Sequence, residues 1–110
     1  MPRISSMKLR LISDTVKKLG YVDVRSVRRW FNFASLDDAV RALEYIAEKD
    51  ERVELVYTLT FEKPGILTTY TTEEACESSV PELIKRMGQE GWILKSKQVK
   101  GAQAIKADDV

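Results

Sequence analysis

The 110-residue chain is 44% hydrophobic and 32% charged, a composition and length that suit one globular domain with a real apolar core. It has no histidine and one cysteine, Cys76, which excludes Ser-His-Asp, Cys-His and zinc hydrolase chemistry and any internal disulfide. The net charge of +1 conceals an asymmetry: residues 1–33 carry eight Lys/Arg against two Asp, residues 34–90 six against thirteen acids, and residues 91–110 four Lys against two Asp.

Met1–Ser6 lacks the apolar core of a secretion signal and the apolar runs are short, so the expectation is a cytoplasmic protein with no membrane segment. Met7–Gly20 reads as an N-terminal extension in which Leu9, Ile12, Val16 and Leu19 give a short helix ending at Gly20. Tyr21–Phe33, rich in Tyr, Val, Trp and Phe, reads as a strand with imperfect alternation. Behind a capping Ser35, the apolar positions Leu36, Ala39, Val40, Leu43, Ile46 and Ala47 predict a helix to Lys49, with Asp37 and Asp38 suited to its N-terminal dipole.

Val53, Leu55, Tyr57, Leu59 and Phe61 alternate along a strand over Val53–Glu62, and Lys63-Pro64-Gly65 turns it into a second strand over Ile66–Thr72. Glu73–Ser78 has no clear pattern. Ser79-Val80-Pro81-Glu82 fits a helix start with proline in the first turn, Val80, Leu83, Ile84 and Met87 form its apolar stripe, and Gly91 ends it. Trp92 packs back on that end, a last strand runs to Val99, and residues 100–110 read as a frayed tail.

Taken together, residues 22–99 read β-α-β-β-α-β. The expectation is a single α+β domain over residues 1–110, with a ferredoxin-like antiparallel sheet carrying two helices on one face and residues 1–20 as an extension. The alternative is an N-terminal helix-turn-helix followed by a helix and a β-hairpin. In it, Asp14–Leu19 and Val24–Phe31 are the two helices, separated by Gly20 and Tyr21.

Cationic and aromatic residues interleave in Arg25, Arg28, Arg29, Trp30, Phe31 and Phe33. Guanidinium groups grip phosphate and aromatic faces stack on unpaired bases. On a strand, Arg28 and Trp30 share one face, while Arg29, Phe31 and Phe33 share the other. The stretch from Leu19-Gly20-Tyr21 through Arg28-Arg29-Trp30-Phe31 also resembles the second helix-turn-helix of AraC-type transcription regulators, over less than a fifth of the chain. It departs from that pattern at Val16, usually alanine, and at Val27, usually aromatic. The resemblance implies Arg25, Arg28 and Arg29 as DNA contacts.

Catalysis has little to stand on. Glu73, Glu74 and Glu77 with Asp50 or Glu51 supply carboxylates without a Gly-rich phosphate loop or a calcium loop, and Cys76 lacks a histidine partner. The expectation is a non-enzymatic nucleic-acid-binding regulatory or accessory protein with no cofactor and no metal. Arg25, Arg28 and Arg29 hold phosphate, Trp30 stacks, and Lys95 and Lys97 add contacts from the last strand. DNA or RNA is the partner, with a homodimer expected. A homodimeric protein-interaction module without nucleic-acid binding, built on a sheet edge or an open sheet face, is the alternative.

Overall fold

The structure, a computed structural model, describes residues 5–105. In chain order it contains helix α1 (Ser6–Leu19), strand β1 (Tyr21–Asp23), helices α2 (Val24–Trp30) and α3 (Leu36–Lys49), strands β2 (Val53–Lys63) and β3 (Thr69–Cys76), a 3-10 turn (Glu77–Ser79), helix α4 (Val80–Gln89) and strand β4 (Ile93–Ala104). The strands form one antiparallel sheet in the order β1-β4-β2-β3. The fold is mixed α+β, and among the described residues no helix is long and apolar enough to cross a membrane. Contacts divide the chain into two compact units, one up to Leu55 and from Lys100 onward, the other Val56–Val99.

The first unit is built on helix faces. Ser5 caps α1 by accepting a hydrogen bond from Lys8 N–H at 3.1 Å, Ile12 and Val16 are fully buried one turn apart, and Gly20 at φ 86° closes the helix by donating to Val16 O. Ser35 caps α3 as expected, its hydroxyl accepting from Asp38 N–H at 3.1 Å, and Ala39, Ala42, Leu43 and Ile46 form the buried stripe. Burial of an aliphatic side chain contributes about 1.5–3 kcal/mol, so this stripe outweighs the weak intrinsic helicity of so short a segment. Strand β1 pairs with β4 through Tyr21↔Gln103, Val22↔Ala102 and Asp23↔Gly101. A Cβ on Gly101 would lie 2.1 Å from Val22 O, so this approach of two backbones requires glycine.

Four expectations are corrected here. The strand over Tyr21–Phe33 is three residues of β1 followed by α2. Asp23 accepts from Arg25 N–H at 2.8 Å and starts a helix, and Val24 and Val27, three apart, bury on the helical period. Capping and an i, i+3 core pair override the strand propensity of Tyr, Val and Trp. With so short a first strand and the strand order β1-β4-β2-β3, the ferredoxin-like order is not found. The helix expected to end at Gly20 is present as α1, but it packs on α3 and β1 and so is part of the fold, not an extension. The tail expected to fray from Lys100 is strand to Ala104, where Ala104 N–H donates to Gly20 O and Ile105 N–H to Arg52 O. Residues 106–110 lie outside the described residues.

The second unit is a hairpin with a helix on it. β2 and β3 pair without a bulge from Val56↔Cys76 to Lys63↔Thr69. Leu59 and Phe61 from β2 form a core with Val80, Leu83 and Met87 of α4, flanked by Tyr57, Ala75, Ile84, Trp92 and Leu94. Helix α4 ends as expected. Gly91 adopts φ 89°, Gly91 N–H donates to Gly88 O and Trp92 N–H to Met87 O, the bond pair of a Schellman end. Pro81 sits in its first turn, but Ser79 makes no capping bond. The Ser79 hydroxyl lies 3.3 Å from Cys76 Sγ instead.

Candidate functional site

Helix α2 is short enough that one core contact orients it completely. With Val24 and Val27 in the core, the advance of about 100° per residue carries Arg25, Arg28 and Arg29 onto the solvent side within an arc of about 100°. All three are exposed. After α2 the chain reverses at Asn32, whose φ of 54° is left-handed, a conformation asparagine adopts more readily than most residues. Phe33 N–H then donates to Arg28 O at 2.9 Å, and the Arg28 guanidinium donates to Ala34 O at 3.2 Å.

The result is an open concavity of about 540 Å³ lined by Arg25, Arg28, Arg29, Asn32, Phe33 and Leu36. Among the described residues no carboxylate lines it. Among the described residues none of the three guanidinium groups forms an ion pair, whereas Lys17 pairs with Asp50, Arg41 with Asp37 and Lys95 with Glu62. A further cation stands beside the concavity, because Lys8 Nζ lies 4.3 Å from the centre of the Phe33 ring. Three uncompensated guanidinium groups on one turn and a half of helix produce a local positive potential that attracts phosphate or carboxylate oxygens.

Of the residues expected from the sequence, Arg25, Arg28 and Arg29 come together. Trp30 lies on the same helix but about 100° beyond Arg29; it is half exposed and does not line the concavity. Lys95 and Lys97 belong to the other unit. Lys95 Nζ is 3.6 Å from Glu62, and Lys97 Nζ lies over the Tyr57 ring at 4.6 Å. Sequence reasoning missed Lys8 and Asn32. Asn32 carries a signal, a residue tolerant of left-handed backbone directly after a basic run. Lys8 carries none, because its place follows from the packing of α1.

A second feature of the first unit is Asp50, which follows α3. It accepts from Lys17 Nζ, from Ser13 Oγ at 3.1 Å and from Arg52 N–H at 2.9 Å. Its carboxyl is held below the usual range, chiefly by Lys17, then by the Arg52 N–H, with partial burial opposing and the Ser13 hydroxyl adding. The open depression of about 510 Å³ beside it mixes Arg10, Lys17, Lys49 and Arg52 with Asp14, Asp50 and Glu51 and selects no sign of charge. Among the described residues, no group of three or more Cys, Asp or Glu is arranged to hold a metal ion.

The chain matches no model of a known protein family and no curated protein by sequence.

Proposed function

We propose that this chain binds nucleic acid through α2 as a small regulatory or accessory protein without catalytic activity, with Arg25, Arg28 and Arg29 on backbone phosphates. The observation that carries the proposal is the group of three guanidiniums lining one concavity without a carboxylate. The helix-turn-helix reading, with α1 and α2 about the Gly20 turn, accounts for these arginines better than a sheet surface does. The separation of Trp30 from the arginine arc favours phosphate contact on a duplex over stacking on unpaired bases. Lys95 and Lys97, already engaged by Glu62 and Tyr57, take a lesser part.

Fluorescence anisotropy with labelled duplex and single-stranded DNA and RNA across a salt series tests this. Three phosphate contacts to duplex DNA give a log–log salt slope of about −2.7, a loss of about 40-fold in affinity over a fourfold rise in salt. The variant Arg25→Ala/Arg28→Ala/Arg29→Ala, folded by circular dichroism, is expected to lose that slope. Wild type that fails to bind any of these probes at low salt ends the proposal.

A further inference from the structure

β3 is an edge strand of the sheet, and among the described residues nothing pairs with its outer side. It runs eight residues without a bulge, a proline, a glycine or a lysine, the usual devices that stop edge strands from pairing. At its start stand strongly exposed apolar side chains: Ile66 and Leu67 in the hairpin loop, at 106% and 85% exposure, and Tyr70 at 61%. We propose that two copies of this chain join through β3, pairing antiparallel about Thr72 to continue the sheet across a two-fold axis.

The register follows from symmetry and charge. A two-fold axis through an antiparallel pair stands perpendicular to the sheet and leaves every side chain on its own face. Each residue must therefore oppose one of its own parity, and the axis passes beside a residue facing itself. Two such registers span most of the strand. An axis at Glu73 sets Glu73 directly against Glu73 of the second copy, and like charges so opposed are destabilising. An axis at Thr72 opposes Thr72 to itself, Glu73 to Thr71, Glu74 to Tyr70 and Ala75 to Thr69. No carboxylate then faces a carboxylate, and a threonine pair, favourable across strands, sits at the centre. The same register carries the exposed Ile66 and Leu67 of each copy toward the Ala75–Glu77 end of the other strand, which withdraws apolar surface from water. A second copy fits this edge because the edge is complementary to itself.

Sedimentation equilibrium of the full chain reads the mass, and engineered cysteines in a Cys76→Ser background read the register. Opposed residues of antiparallel strands have Cα atoms about 4.5–5.5 Å apart, within disulfide reach. Twice the monomer mass is expected, and Thr72→Cys alone is expected to give a covalent dimer under mild oxidation. Thr71→Cys alone and Glu73→Cys alone stay uncrosslinked, whereas a mixture of the two crosslinks. A monomer at every concentration overturns the proposal. So does a dimer in which Thr72→Cys fails to close or in which Glu73→Cys closes by itself.

Discussion

Arg25, Arg28 and Arg29 on α2 and Lys95 and Lys97 on β4 are all exposed cations spaced to share a face of their element, yet they keep different company. In the first unit no carboxylate among the described residues forms an ion pair with the guanidinium groups of Arg25, Arg28 and Arg29. In the second, Glu62 takes Lys95 and the Tyr57 ring takes Lys97. A basic residue that is already paired offers an incoming anion less, by about 0–1 kcal/mol for an exposed pair, since a new contact must first replace the old one. Charge counted along a sequence therefore overstates a candidate site, and charge left uncompensated after folding narrows it.

The sharpest way to separate the two sets is to remove the core under the lysines. Phe61 is fully buried, and Phe61→Ala is expected to destabilise the second unit by about 3–5 kcal/mol. Each unit contains one tryptophan, Trp30 in the first and Trp92 in the second. Urea unfolding of single-tryptophan variants then reads each unit separately, and the Trp92 midpoint is the one expected to fall. Next in size is the binding contrast itself. Lys95→Ala/Lys97→Ala is expected to change polyanion affinity by less than about threefold, against the loss of the roughly 40-fold salt dependence in the arginine variant. Equal losses in both variants would erase the distinction drawn above.

Much of the second unit was legible in the sequence because its signals are local. The Tyr57–Phe61 alternation, the Pro64-Gly65 turn, the Val80–Met87 stripe and the Gly91-Trp92 end each span a few neighbouring residues and are kept on folding. The first unit was read less well. Nothing near Gly101 in sequence announces that its neighbour will be Val22, and a pairing between residues so far apart is decided by the whole core. Residues 24–30 satisfied strand propensity and helix capping at once, and a buried pair three residues apart tipped the balance. The arginines were picked from composition, but their grouping without Trp30 depends on the helix that the strand reading lacked.

Two smaller effects probe the first unit. Gly101→Ala places a Cβ against Val22 O, which only a backbone shift relieves, and is expected to cost about 1–3 kcal/mol, read as a lowered midpoint of the Trp30 transition. The Lys17–Asp50 pair is partly exposed, so its worth is about 0–1 kcal/mol. Because the folded Asp50 carboxyl titrates below its unfolded value of about 3.9, this stabilisation is complete above that pH. It disappears as the pH falls through the lower folded value. Asp50→Asn is expected to flatten that part of the pH–stability curve measured between neutral pH and acid.

The loop from Pro64 to Thr68 joins two strands whose last pair is Lys63↔Thr69, and its residues are exposed throughout. Neither the Phe61 core nor the α2 arginines draws on it, so lengthening the chain here spares both and touches only the β3 pairing that would use Ile66 and Leu67. A short flexible peptide or a fluorophore site inserted between Gly65 and Ile66 gives a handle for immobilising or tracking the protein that leaves the sequence of both cores and of α2 unchanged.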